Sequence, residues 1–174
     1  MPASRPQPVS GVAAGTEAAV TQVFPSVSST GIGRLVGQLM ESIPVPITPI
    51  IPIKLSHALF VGPATLIGLL EYARLKVMGV RYKLTTHSVQ EWDSLGTRQL
   101  RDASLASIDS VEAVQQSGQE FFRAHDVVLK DASGATLMVL AGVPSGDVFA
   151  EQIVKTRDAR TQVAAALAAI EARA

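Results

Sequence analysis

Short runs of alternating apolar and polar residues fill the chain between residues 80 and 143. Six such runs follow one another at about 8–12-residue spacing, and turn signals such as Ser94-Leu95-Gly96 and Ser133-Gly134 separate them. A period of two is typical of strands with one buried face. The pattern predicts an antiparallel sandwich or barrel. The run over 105–116 fits a strand only with a bulge, and a strand over 121–131 would place Phe121 and Phe122 on opposite faces.

The stretch 145–174 changes to a helical period. The residues that recur at spacings of four and three are Phe149, Ile153, Thr156, Arg160, Val163, Leu167 and Ile170. This spacing predicts one long helix, capped by Ser145 or Asp147, whose first turns cover the end of the sheet. The alanine-rich segment from Val163 to Ile170 extends beyond a small domain. There the helix either docks on another protein or ends in solvent.

Residues 54–79 form the most apolar stretch of the chain. Between Lys54 and Glu71 run 16 uncharged residues. As a helix they would span roughly 24 Å, less than the ~30 Å hydrocarbon core of a membrane. Gly62-Pro63 interrupts the middle of this segment. An interfacial or re-entrant helix is therefore favoured over a spanning one, and a helix buried against protein is the third alternative.

Residues 43–53 alternate isoleucine or valine with proline. Proline excludes a helix or a central strand there, so we expect an extended strap along a membrane interface or in a partner's groove. Arg74 and Lys76 would reach lipid headgroups with their charged ends. The predicted membrane- or partner-contacting residues are Ile43, Val45, Ile47, Ile50, Ile51, Ile53, Leu55, Leu59, Phe60, Leu66, Ile67, Leu69, Leu70, Tyr72, Arg74 and Lys76.

Residues 1–42 are predicted to form an extended low-complexity tail. The first thirty residues are rich in Pro, Ser, Ala, Gly and Thr and lack the spaced large apolar residues of a core element. Residues 31–42 allow a short, glycine-weakened helix with one apolar side, formed by Ile32, Leu35, Val36 and Leu39. The chain thus divides into a tail (1–42), a strap and apolar helix (43–79), a strand domain (80–160) and a helix extension (161–174).

The composition is consistent with attachment to an apolar environment. Hydrophobic residues make up 47% and charged residues 17%, below the ~25% charged residues of typical soluble domains. The mean hydropathy is +0.28. Fifteen basic and fifteen acidic residues balance, which excludes a strongly basic nucleic-acid binder. The absence of cysteine excludes a disulfide scaffold, a thiolate zinc site and a cysteine nucleophile.

The charges are unevenly distributed along the chain. Residues 34–83 carry a net charge of +4 and residues 84–174 a net charge of −4. The basic excess coincides with the most apolar stretch, a combination that an anionic cytoplasmic leaflet attracts. Ordinary scatter of surface charge is the alternative interpretation.

The order of strands, turns and a closing helix resembles the bacterial pleckstrin-homology-like domain family over residues 81–158. The matching segments are Arg81–Thr86, Leu105–Val111, Asp126–Leu129 and Leu140–Pro144, followed by Phe149, Gln152 and Ile153. The resemblance implies a strongly bent, seven-stranded sheet capped by one C-terminal helix. It also implies membrane association and scaffolding rather than catalysis, with the preceding apolar segment as a membrane anchor.

The sequence offers no assignable catalytic or metal site. His57, His87 and His125 lack the i, i+4 spacing of a helical zinc site. The chain has no Gly-x-Ser-x-Gly elbow, and its carboxylates are spread singly along the strands. His57, alone in the apolar stretch, is more typical of a hydrogen-bonded buried histidine than of a ligand. We therefore expect no enzyme, no metal and no cofactor.

These features predict a non-catalytic accessory subunit on the cytoplasmic face of a bacterial inner membrane. Its partners would be the lipid surface and the subunits of an integral membrane complex, and not nucleic acid. A bacterial photosynthetic reaction-centre and antenna assembly is one such complex, suggested by fold-level analogy. Val163, Leu167 and Ile170 would form a second partner-binding helix face. The alternative is a stand-alone peripheral lipid- or peptide-binding module.

Overall fold

The computed structural model describes residues 17–43 and 54–172. Its elements are β1 (Ala19–Val23), a 3-10 turn (Val27–Ser29), α1 (Gly31–Glu41), α2 (Leu55–Met78), β2 (Val80–Thr85), β3 (Ser88–Asp93), β4 (Gln99–Ser104), β5 (Ser110–Val114), β6 (Ala124–Lys130), β7 (Thr136–Pro144) and α3 (Gly146–Glu171). The predicted strap lies outside the described residues, together with its Val45, Ile47, Ile50, Ile51 and Ile53.

The seven strands form two antiparallel sheets, in the orders β1-β2-β3-β4 and β5-β6-β7. The predicted antiparallel strands and C-terminal helix are confirmed. Within the described chain no strand of one sheet is paired with a strand of the other, so the sheets do not close into a barrel. The helices of 11, 24 and 26 residues outweigh strands of 5 to 9 residues, so the fold is mixed α/β rather than mainly β.

The main core lies between the two sheets, and the first turns of α3 cover one end of it. Phe149, Ala150 and Ile153 carry this contact from the helix, as the spacing predicts. Burying a large apolar side chain contributes about 1.5–3 kcal/mol. The fully buried large apolar side chains are Leu84, Leu105, Leu129, Leu140, Ile153, Val89, Val127 and Val143.

Tyr82 joins the two sheets through the core. Its hydroxyl accepts a hydrogen bond from the Ala141 amide at 3.0 Å and donates to the Ala141 carbonyl at 3.3 Å. Burial raises the pKa of the Tyr82 phenol far above its usual value, and the charge of Glu91 adds to the shift. The phenol therefore stays protonated and keeps β2 tied to β7.

The first strand comes from the segment predicted as an extended tail. β1 pairs with β2, with Gln22 opposite Lys83 and Val23 opposite Tyr82, and Val23 packs against the main core. The tail prediction missed this strand because β1 has one core-directed apolar residue and is defined by the hydrogen-bonding edge that β2 offers. The pair α1–α2 is therefore an insertion between two neighbouring strands of one sheet.

α1 confirms the short helix, but its predicted apolar side does not face the protein. Only Val36 of that side is buried, whereas Ile32, Leu35 and Leu39 are 47%, 64% and 39% exposed. Gly33, Gly37 and Met40 share the buried side with Val36. The protein-facing side of α1 is rich in glycine because backbone approaches backbone there, and the large side chains remain outside.

Two of the predicted strands begin later than the pattern indicates. Residues 105–107 form a turn, so β5 starts at Ser110 rather than running from 105 with a bulge. Phe121 and Phe122 lie in a turn before β6, with their rings edge to face at 5.0 Å, rather than on opposite faces of a strand. At the start of α3, Ser145 occupies the N-cap with φ 48°, and its side chain makes no capping hydrogen bond.

Candidate membrane- and partner-binding surface

Close backbone contacts at glycines hold α1 against the loop before β6. A Cβ atom on Gly37 would lie 1.9 Å from the Gly118 carbonyl oxygen, and one on Gly118 would lie 2.2 Å from the Arg34 carbonyl oxygen. Gly118 also has a φ of +85°, a conformation that side chains disfavour. These two glycines therefore set how closely the inserted helices sit on the strand domain.

Asp126 on β6 ties the inserted helices to the strand domain. Its Oδ2 accepts from the Arg34 guanidinium at 3.0 Å, while its Oδ1 accepts from the Gln119 amide at 2.6 Å and from the Gly142 backbone N–H at 2.8 Å. Asp126 and Gln119 are buried. A buried carboxylate with three such partners is stabilising only while all of them are present.

α2 returns alongside α1 in the opposite direction. The Ser56 hydroxyl donates to the Met40 carbonyl at 2.5 Å, and Lys54 pairs with Glu41. Val36, Met40 and Ala64 form a second, small core, against which Phe60 and Phe122 pack. The C-terminal end of α2 is also attached, because the Ser94 hydroxyl donates to the Val77 carbonyl at 2.7 Å. α2 thus contacts the rest of the protein at both of its ends.

The outward side of α2 is apolar and open. Only Ser56, Ala64 and Glu71 of its 24 residues are buried, and they lie on the side that faces the protein. Pro63 lies inside the helix without ending it, contrary to the interruption expected at Gly62-Pro63. The exposed large apolar residues of the helix are Leu55, Leu59, Val61, Leu66, Ile67, Leu69, Leu70, Tyr72, Val77 and Met78. We call the outward side from Leu55 to Ala73 the apolar strip.

The polarity of α2 is opposite to that of a helix on a water-facing surface. Glu71 is its single acidic residue and points inward, with its side chain 8% exposed. Arg74 pairs with it, since the guanidinium Nη1 lies 3.2 Å from both carboxylate oxygens. Leu66, Leu69 and Leu70 are in contrast 61%, 62% and 64% exposed. The Glu71 carboxylate is thus buried and paired, whereas the leucines face outward.

α2 is long and apolar enough to cross a membrane, judged by length and composition. An 18-residue window has a mean hydropathy of 1.3, and 11% of it is buried inside the protein. Its 24 residues extend about 36 Å. The core helix of a soluble domain can have the same length and composition, but such a helix is mostly buried. α2 is mostly exposed.

Most of the residues predicted to contact membrane or partner are exposed on this surface. Phe60 and Ile43 are half-buried, with Phe60 turned towards the small core. The outward apolar residues of α1 are not among the predicted contact residues. Its protein-facing side consists largely of glycine, so the sequence pattern does not show that the large apolar residues face outward. The predicted residues that are exposed on α2 are Leu55, Leu59, Leu66, Ile67, Leu69, Leu70, Tyr72, Arg74 and Lys76.

The second half of α3 forms a separate exposed surface. Val163 and Ile170 are 59% and 65% exposed, and the side chain of Leu167 lies outside the described part. A cavity of about 440 Å³ separates this half of the helix from the β2–β3 turn, and Arg160 spans it by donating to the His87 carbonyl at 2.8 Å. The cavity is lined by Thr86, His87, Thr156, Ala159, Arg160, Val163 and Ala164.

His57 packs against an aromatic ring without a polar partner. Its ring meets Phe121 edge to face at 5.6 Å, and its buried Nε2 has no hydrogen-bond partner among the described residues. The hydrogen-bonded histidine expected here is thus not seen in the described part. Residues 17–43 and 54–172 contain no group of three or more His, Asp or Glu side chains arranged to hold a metal ion.

Comparison of the chain with protein-family models, with curated proteins and with solved structures finds no match in any of the three.

Proposed function

We propose that this protein is a non-catalytic accessory subunit of a membrane complex, attached to the membrane by the apolar strip of α2. The observation that carries the proposal is the inverted polarity of α2. Its charged Glu71 is buried against the protein, while Leu66, Leu69 and Leu70 are more than half exposed. Large contiguous exposed apolar surfaces mark protein or membrane contacts.

In this proposal α2 lies along the membrane surface rather than across it. Its protein-facing side is attached from Ser56, bonded to α1, to Val77, bonded to Ser94. Crossing the bilayer in this arrangement would take α1 and its Arg34–Asp126 ion pair into hydrocarbon, at a large desolvation cost. Lying flat buries the strip and leaves the strand domain in water.

We place the strand domain on the cytoplasmic side, where the net charge of +4 over residues 34–83 matches anionic lipids. A pleckstrin-homology-like architecture is part of the proposal. Support for it comes from the seven strands, divided four and three, and from the single helix over the end of their core. In this arrangement the helical insertion would join the first two strands of the domain.

The scaffolding part of the proposal uses the second half of α3. Val163 and Ile170 are two turns apart on the same side of this helix, and both are exposed on a surface separate from the apolar strip. The protein can therefore contact lipid with α2 and a protein subunit with α3 at once. The proposed partner is an integral membrane complex, such as a photosynthetic reaction centre with its antenna.

Mild-detergent solubilisation of native membranes, followed by size exclusion and mass spectrometry, tests this proposal. We expect the chain to elute in a large complex whose other subunits the spectra identify. Elution at the size of the free chain, 18.3 kDa, would contradict the accessory role. The stand-alone lipid-binding module would then be the better description if the chain still floats with vesicles.

A matched pair of variants tests the apolar strip itself. Leu66→Ser/Leu69→Ser removes two exposed leucines from the strip, and Leu137→Ser/Val139→Ser removes two exposed apolar side chains from β7 in the strand domain. Loss of membrane attachment is expected for the first pair alone. Equal behaviour of the two pairs would show that the strip is not the attachment surface.

A further inference from the structure

Three cations lie against aromatic rings at the C-terminal end of α2 and on the adjoining strands. The Lys76 ammonium lies 5.0 Å from the centre of the Phe24 ring and 5.4 Å from that of Tyr72. The Arg81 guanidinium lies 5.7 Å from the centre of the same Phe24 ring. The third is Lys83, whose ammonium lies 5.6 Å from the centre of the Trp92 ring. We call Lys76, Arg81 and Lys83 the cationic cluster.

Within the described residues, the cationic cluster forms no direct ion pair, although the charge of Lys83 acts on Glu17. Seven other cationic side chains of the described chain, among them Lys54, Arg74 and Lys130, form ion pairs within 4.0 Å. The three cations of the cluster do not, and neither do Arg98, Arg123 and Arg160 elsewhere in the described chain. Three like charges held near one another without a direct ion pair are unfavourable. Such an arrangement favours binding of an anion from outside the protein.

The backbone fixes Arg81 in place. Its Nε donates to the Asp93 carbonyl at 3.1 Å and its Nη2 to the Ser94 carbonyl at 2.6 Å. Gly96 has a φ of +74°, and a Cβ atom on it would lie 2.6 Å from the Arg81 guanidinium carbon, so a side chain there would displace the guanidinium. The guanidinium is therefore ordered before any ligand arrives, which reduces the entropy cost of binding.

Two small cavities adjoin the cationic cluster. One, of about 60 Å³, is lined mostly by apolar side chains and opens beside Lys76, between Phe24 and Tyr72. The other, of about 80 Å³, is lined by Gln22, Arg81, Lys83, Trp92 and Gly96. An apolar recess and a cationic recess thus lie on either side of the Phe24–Arg81 contact. A ligand with one anionic group and one apolar part fits this arrangement.

The cluster lies where the apolar strip ends. Lys76 follows Leu69 by two helical turns on the same side of α2. Tyr72 and Phe24 are about half exposed beside it. Aromatic rings and long cationic side chains next to an apolar surface are typical of residues at the headgroup level of a bilayer.

We propose that the cationic cluster binds the phosphate of anionic phospholipids, with Phe24 and Tyr72 against the upper part of the acyl chains. This inference rests on the proposed membrane attachment and names the lipid class. The apolar strip supplies binding to any bilayer, and the cationic cluster adds selectivity for negatively charged lipid. In a helix that lies flat, these headgroup contacts are made at the C-terminal end of α2.

Vesicle flotation of the full chain tests the proposal. The probes are vesicles of phosphatidylcholine alone and of phosphatidylcholine mixed with phosphatidylglycerol, each at low and high salt. We expect tighter binding to the anionic vesicles, with the difference reduced by salt. Lys76→Gln/Lys83→Gln should weaken binding to anionic vesicles by about fivefold for each cation removed and leave binding to neutral vesicles unchanged.

The matched control is Lys130→Gln/Lys155→Gln, which removes the same charge from the strand domain and α3. Equal loss in both double variants, or equal binding of the natural chain to both vesicle types, would overturn the lipid selectivity but not the attachment. Binding to neither vesicle type would overturn the membrane attachment and this inference with it. Retained selectivity in Lys76→Arg would support a role of charge rather than of the lysine itself.

Discussion

Removal of the Asp126 carboxylate should destabilise the protein more than removal of any single surface charge does. Asp126→Ala deletes three hydrogen bonds, donated by Arg34, Gln119 and Gly142. The donors of Gln119 and Gly142 share one carboxylate oxygen, Oδ1, as their acceptor. Breaking a buried ion pair costs about 3–5 kcal/mol, and a buried donor left without a partner costs about 1–3 kcal/mol. The Arg34 side chain is 32% exposed and regains water, so we expect a loss of about 3 kcal/mol.

Urea unfolding in mild detergent, followed by the fluorescence of the single tryptophan, Trp92, measures this loss. Asp102→Ala, at an exposed position on β4, is the control and should change the free energy of unfolding by less than about 0.5 kcal/mol. Asp126→Asn keeps the size of the side chain and should give a smaller loss than Asp126→Ala. A loss below about 1 kcal/mol for Asp126→Ala, within the range of a single ordinary hydrogen bond, would refute the idea that this carboxylate fastens the inserted helices.

Three further predictions follow from named contacts. Gly37→Ala is expected to lower the melting temperature in calorimetry, because its Cβ would meet the Gly118 carbonyl, whereas Gly62→Ala meets no atom within 4 Å and serves as its control. Hydrogen bonds from hydroxyls, chiefly that of Thr85, lower the pKa of Glu17. The Glu17 carboxylate therefore stabilises the fold above its unfolded-state pKa, and this contribution is lost as pH falls through the folded-state pKa. Glu17→Gln should reduce the loss of unfolding free energy at acid pH, measured by urea titrations at a series of pH values. Val163→Asp should leave urea stability unchanged, because this side chain is 59% exposed, and should release the chain from its complex in detergent size exclusion.

Periodicity in the sequence predicts the elements whose own side chains fill the core. The strands from β2 to β7 and the helix α3 are of this kind, and the buried Leu84, Leu129 and Ile153 lie within them. β1 escapes prediction because its place is determined by the hydrogen-bonding edge of β2. The register of a strand such as Gln22 opposite Lys83 depends on that partner and has little signal of its own.

The candidate surface is predicted in part. The apolar character of α2 is evident from the sequence, but a helix that is apolar nearly all round gives no indication of which side faces the protein. Glu71 settles the orientation only once its burial beside Arg74 is known. On α1 the glycines are buried and the large residues are outside, because Gly37 allows close backbone contact with Gly118. The cationic cluster depends on Phe24 of the tail meeting Lys76, which no local pattern predicts.

The depth of α2 in a bilayer tests the central claim most directly. The natural chain has no cysteine, so single nitroxide labels can be attached at Leu59→Cys, Leu66→Cys and Leu70→Cys, with Val139→Cys on the exposed side of β7 as the aqueous reference. Electron paramagnetic resonance with oxygen and a polar nickel complex then measures the immersion of each label in anionic vesicles. We predict the same shallow immersion at all three helix positions and water exposure at Val139. Water exposure at the helix positions, or a depth that changes steadily from Leu59 to Leu70 as in a spanning helix, would contradict the account.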